Sequence, residues 1–134
     1  MARWLVKTEP STYSFSQLQK EGRTVWDGVK NPVALKHLAA MKKGDTVLIY
    51  HTGDEKAVVG TATAASDPYP DPKSKDPKLL VIQLAAGKPL PAAIPLAAVK
   101  ADRRLADFAL VRQPRLSVMP VSDAEWQAMQ TCAR

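Results

Sequence analysis

A single cysteine in 134 residues removes two classes of chemistry at once. Cys132 has no partner for an internal disulfide, and a multi-cysteine zinc site cannot be assembled. Histidine is equally scarce: His37 and His51 are the only two, one on a helical segment and the other at a strand end, so a metal centre is not expected and no cofactor is implied. The six glycines are scattered, and neither a Walker phosphate loop, nor Gly-x-Gly-x-x-Gly, nor a Gly-x-Ser-x-Gly nucleophile elbow occurs. Ser14 and Ser122 read as helix caps instead of nucleophiles. Cys132 stands two positions from the last residue, too weakly anchored to serve as a thiol nucleophile. No apolar run approaches the ~18 residues of a membrane span, so no membrane partner is expected. The short apolar stretch at the N-terminus lacks a signal cleavage site, and the chain is expected in the cytoplasm.

What is present is an ordinary globular composition, 46% hydrophobic and 24% charged, of a length suited to one compact domain spanning residues 1–134. The net charge of +6 and pI near 9.6 favour polyanionic partners. Residues 1–67 carry nine Lys or Arg against seven Asp or Glu, and residues 68–134 carry ten against six, so the excess is spread and not held in a tail. Charge alone serves a solvated basic surface as well as it serves nucleic-acid binding.

Residues 3–7 form a first strand closed by Lys7-Thr8-Glu9-Pro10. Ser14 and Gln17 have capping-box spacing for a helix of about two turns ending at Gly22. A second helix starts at Asn31-Pro32, carries Leu35, Leu38 and Met41 on one stripe, and stops at Lys42-Lys43-Gly44. Residues 46–50 and 58–63 read as a hairpin, with Gly60, Ala62 and Ala64 on one face where a neighbouring backbone can come close. Residues 67–77 are too rich in proline and charge for anything but a long surface loop. A strand over 79–84 follows, then a Pro89–Pro95 lead into a weak helix over 96–101, and another over 105–110. Arg115 to Val121 makes a last strand, and Ser122 with Glu125 caps a C-terminal helix carrying Trp126 and Met129. Strands interrupted by helices predict an α+β fold: a small curved or barrel-like sheet with helices packed at its ends.

With catalysis unsupported, the informative residues are aromatics at segment ends. Trp26-Asp27-Gly28-Val29-Lys30-Asn31-Pro32 sets a large aromatic before a glycine turn and a helix start, a construction suited to a binding loop. Trp4 and Trp126 fit the core. Trp26 fits either a plug for the end of the sheet or a stacking surface for a base, with Asp27, Lys30 and Asn31 able to read its edge. Tyr50 and His51 more commonly finish a strand than bind a ligand.

Trp4-Leu5-Val6-Lys7-Thr8-Glu9-Pro10, Tyr13-Ser14, Trp26-Asp27-Gly28-Val29-Lys30-Asn31, Met41-Lys42-Lys43-Gly44-Asp45, Tyr50-His51, Val59-Gly60, Tyr69-Pro70-Asp71-Pro72 and Arg115-Leu116-Ser117-Val118 together resemble the EVE domain family, including its thymocyte nuclear protein group. The likeness spans nearly the whole chain. Lys30 departs from the family's usual Arg, keeping the charge and losing the bidentate fork. The resemblance implies a PUA-like fold, a small β-barrel of about five to six strands with helices at its ends. It also implies a non-catalytic reader of a modified base, with modified cytosine in DNA the favoured ligand and the base turned out of the stack into a pocket. In that scheme Trp26 forms an aromatic wall and Lys7, Thr8, Glu9, Asp27 and Asn31 line the pocket or its rim. Tyr50, His51, Arg115 and Ser117 approach from neighbouring strands. The partner is then nucleic acid carrying a modified base, with an effector protein supplying any downstream step, and the chain is expected to act as a monomer. A second class is an RNA-binding or RNA-processing PUA-like enzyme, in which Lys7, Tyr50 and Arg115 stabilise a phosphoryl transition state. A third is a module for a small molecule or protein partner.

Overall fold

The computed structural model describes residues 2–132 of the chain. Three of its helices begin where short-range chemistry dictates. In α1 (Phe15–Glu21) the Ser14 hydroxyl accepts from the Gln17 N–H, and Gly22, at φ 78°, ends the helix. In α2 (Pro32–Ala40) the Asn31 side chain accepts from the N–H groups of both Val33 and Ala34 at 2.9 and 3.1 Å, with Pro32 in the first turn. Ahead of α5 (Asp123–Cys132) the capping box closes in both directions, Glu125 accepting from the Ser122 N–H and Ser122 from the Glu125 N–H. The side chain of Cys132, read above as too weakly anchored for catalysis, lies outside the described residues.

The strands are β1 (Arg3–Thr8), β2 (Arg23–Trp26), β3 (Thr46–His51), β4 (Ala57–Ala64), β5 (Tyr69–Pro70), β6 (Leu80–Pro95) and β7 (Val118–Val121). They form one mixed sheet in the order β2-β6-β4-β3-β1-β7, with the two-residue β5 pairing on β6. β1 and β3 run parallel, Leu5 opposite Leu48, because the chain between them carries α1, β2 and α2 as a crossover; their other partners are antiparallel. The architecture is the expected α+β one. The hydrogen-bonded path ends at β2 and β7, and among the described residues no pairing joins those two ends.

Several elements differ from the sequence reading. Trp26 closes a strand, β2, which the sequence reading gave to a loop; Trp26 pairs with Ile82 of β6, a partner that no local pattern reveals. The segment holding Pro89, Pro91 and Pro95 is itself a continuation of β6, and it leads directly into the helix expected at Leu96. The register against β4 jumps from Ile94 opposite Val58 to Pro89 opposite Gly60, and this bulge absorbs residues that cannot donate to a ladder. The helix expected over 105–110 splits into a 3-10 turn (Arg103–Leu105) and the single turn α4 (Ala109–Arg112), after α3 (Leu96–Ala101). α2 stops at Ala40, and β7 begins at Val118, not Arg115.

The core lies between the sheet and its helices, built from Leu5, Leu18, Leu38, Leu48, Ile82, Leu84 and Phe108 among others. Trp4 is buried and its indole N–H donates to Asp45 at 2.9 Å; the same carboxylate accepts from the Lys42 and Ala2 N–H groups, so the buried charge is fully hydrogen-bonded. Trp126 is half-buried against this core. At Gly60 the close neighbour is a ring and not a backbone: a Cβ there would stand 2.3 Å from the Phe15 ring. No helix among the described residues is long and apolar enough to cross a membrane.

Candidate functional site

Where β1 ends, the chain doubles back before entering α1. Thr12 and Tyr13 N–H groups bond to the Glu9 carbonyl, and the Thr8 hydroxyl donates to the Tyr13 carbonyl at 2.8 Å, which fixes Tyr13 over the strand end. β2 then brings Trp26 to the same place, and the two rings meet edge-to-face with centroids 6.1 Å apart. Beyond Trp26 the chain turns at Gly28, whose φ of 77° is the left-handed conformation glycine tolerates. The result is a cleft of about 590 Å³ lined by Lys7, Thr8, Tyr13, Thr24, Trp26 and Asp27, with Val25, Gly28, Thr12 and Lys73 completing its wall. Its size falls within the ~300–1,000 Å³ typical of ligand pockets.

The charged groups of the cleft are held differently. Lys7 is half-buried: its N–H donates to the Ser117 carbonyl, its ammonium donates to the Pro114 carbonyl at 2.8 Å and lies 5.6 Å from the Tyr50 ring centroid. Burial lowers its pKa from the ordinary lysine value, since no carboxylate forms an ion pair with it among the described residues. The Tyr13 hydroxyl donates to Glu21; burial and then that carboxylate push its pKa up. Asp27 is exposed at the rim.

Of the ten residues singled out from sequence, the cleft brings together Lys7, Thr8, Trp26 and Asp27. The others lie around it. Tyr50 is buried, its pKa raised by that burial, and it lines an adjoining pocket of about 290 Å³ that shares Lys7 with the cleft. His51 has both ring nitrogens committed: Nε2 accepts from the Phe15 N–H at 3.0 Å, which leaves the proton on Nδ1, donated to Glu55 at 2.9 Å. It therefore caps α1 from a neighbouring strand. Glu9 is exposed and turned to the β3–β4 hairpin, accepting from Ser11 and Thr52 and lying against Gly53. Asn31 has its side-chain oxygen engaged in the α2 cap and shares with Arg115 a separate hollow of about 270 Å³. Ser117 is half-buried and holds Lys7 through its carbonyl.

Sequence reasoning missed Tyr13, Thr24 and Lys73 as wall residues. Thr24 and Trp26 stand two apart on β2, so an alternating pattern over Arg23–Trp26 was the available signal. Lys73 comes from the proline-rich loop, pinned by β5 and by the Asp71 side chain accepting from the Lys73 N–H; no sequence pattern places it there.

The EVE domain model matches residues 2–132. Human thymocyte nuclear protein 1 is 27% identical over 93% of this chain and 71% of its own length. A protein from Rhodopseudomonas palustris superposes with a TM-score of 0.93 at 41% identity, covering 99% of this chain and 93% of its own. Human THYN1, solved in complex with DNA containing 5-methylcytosine, superposes with a TM-score of 0.91 at 25% identity over 100% of this chain and 99% of its own. With a family match over almost every residue and this agreement in three dimensions, the chain belongs to the EVE domain family.

Proposed function

We propose that this protein binds DNA and reads a modified cytosine, taking the extruded base into the Trp26–Tyr13 cleft without chemical turnover. The observation that carries this reading is the cleft itself: two aromatic side chains in a wall that also carries hydroxyls, a lysine and a carboxylate. The human relative solved with 5-methylcytosine-containing DNA supports the choice of ligand. Trp26 supplies the stacking surface. Asp27 is an acceptor at the rim, the group that the exocyclic amine of cytosine requires, and Lys7 and Thr24 offer donors for its remaining edge.

Magnitudes set the limits. Stacking on an aromatic contributes about 1–3 kcal/mol per base, which only offsets the few kcal/mol of extrusion. Net affinity must come from phosphate contacts by the spread basic surface, with Lys73 at the cleft edge the first candidate. A methyl group buried in the cleft adds about 0.8 kcal/mol, roughly fourfold in affinity.

The test compares a duplex carrying one 5-methylcytosine with the same duplex unmodified, by fluorescence anisotropy at two salt concentrations. The wild type should prefer the modified duplex about fourfold or more, and Asp27→Ala should weaken binding to both. Equal affinity of the wild type for the two duplexes would sink the reading.

A further inference from the structure

Beside the cleft, and sharing only Lys7 with it, lies the second pocket of about 290 Å³, lined by Lys7, Lys56 and Lys100 together with Tyr50, Thr52 and Leu96 among others. Three lysines line one small concavity, a concentration of basic residues suited to a bound anion. The fold brings them there deliberately. Lys56 immediately precedes β4 at φ 46°, in the left-handed region unusual for a side-chain-bearing residue, and its carbonyl accepts from the Leu96 N–H at 2.8 Å. That bond ties the start of β4 to the start of α3, whose last turn carries Lys100. Lys7 reaches the same space from β1, held by the Pro114 carbonyl over the Tyr50 ring. No carboxylate is among the residues lining the pocket; Glu9, which lies against Gly53, accepts from Ser11 and Thr52, and Glu55 from His51.

We propose that the Lys7–Lys56–Lys100 pocket is a phosphate site that holds a backbone diester of the strand whose base enters the Trp26–Tyr13 cleft. This rests on the base-reading function above. Because Lys7 is the partition between the two spaces, its ammonium contacts the phosphate while the cleft side takes the base. The two sites then divide the work: the lysine pocket supplies affinity common to all sequences, and the cleft supplies discrimination.

The experiment uses Lys56→Gln/Lys100→Gln, which replaces two exposed side chains outside the cleft, with binding to the modified and unmodified duplexes measured across a salt series. The expected result is a several-fold loss of affinity for both duplexes, an unchanged ratio between them, and a slope of log affinity against log salt smaller by about one. An unchanged affinity and slope overturns the phosphate site while leaving the base-reading function standing. If the wild type shows no preference between duplexes yet the slope still falls in the variant, the base-reading function fails and the phosphate site survives. A second arm titrates inorganic phosphate into the protein while following the Thr52 and Gly53 amides by NMR. Perturbation there, with DNA affinity unaltered in the double variant, assigns the pocket to a free phosphate and overturns the diester.

Discussion

The indole of Trp26 and the ring of Tyr13 meet edge-on, with planes at 85°, so each holds the other's orientation at the cleft wall. Such a pair contributes about 0.5–1.5 kcal/mol beyond its buried area. Trp26 is also only 8% exposed and belongs to the core, which changes how it is tested. Trp26→Ala would not separate binding from folding, because truncating so buried an indole costs about 3–5 kcal/mol, enough to unfold a marginal domain. Trp26→Phe is the informative variant. It should stay folded with a lowered Tm and lose most of the preference for a modified duplex, as read by thermal unfolding and anisotropy on the same sample. Full preference retained in folded Trp26→Phe would remove the indole from recognition.

Gly60 has no room for a side chain because the Phe15 ring occupies that place. Gly60→Ala should therefore destabilise by about 1–3 kcal/mol through overpacking. Shortening the ring should give some of this back, so Gly60→Ala combined with Phe15→Leu should be less destabilised than the sum of the single variants. Denaturant unfolding of the four proteins measures that coupling; strict additivity would mean that the two sites do not press on each other.

How much was legible from sequence follows the range of the interactions involved. The caps at Ser14, Asn31 and Ser122 were readable because donor and acceptor lie within three residues. The β3–β4 hairpin was readable because its two apolar runs are joined by a short polar turn, with His51 already paired to Ala57. β2 was not, since Arg23–Trp26 is a strand only by virtue of β6, some sixty residues away. The length of β6 was hidden too, because its prolines are tolerated only at the bulge that tertiary pairing creates. In the site, Trp26 and Asp27 stood out by residue type, whereas Tyr13 and Lys73 belong to the wall through packing and loop closure. His51 and Asn31 stood out equally, but their polar atoms are engaged in capping helices.

Asn31 offers a clean separation of those roles. Its side chain accepts from two N–H groups at the start of α2, so Asn31→Ala should cost about 1 kcal/mol of stability. Because that oxygen is committed and Asn31 does not line the cleft, the ratio of affinities for modified and unmodified duplexes should not change. A collapse of that ratio at unaltered stability would assign Asn31 to the base instead.

Lys7 carries a pH signature. Burial lowers its pKa below 10.5, so the unfolded chain keeps the proton to higher pH than the folded chain does. Between the lowered value and 10.5 the unfolded state binds more protons, and stability from this group rises with pH; below that window the penalty is fully present. Tyr13 and Tyr50 act in the opposite sense near their ordinary value of 10.0, because raised folded pKa values mean stability lost as pH rises. Comparing wild type with Lys7→Met across the alkaline range removes what the tyrosines contribute to both proteins. The unfolding free energy of the wild type should gain on that of Lys7→Met as pH climbs through the window. A phosphate beside Lys7 would favour its charged form, so DNA affinity should fall as pH rises through the same range, and more steeply in the wild type than in Lys7→Met, which keeps the other basic residues. Parallel pH profiles of affinity in the two proteins would show that Lys7 does not meet the phosphate.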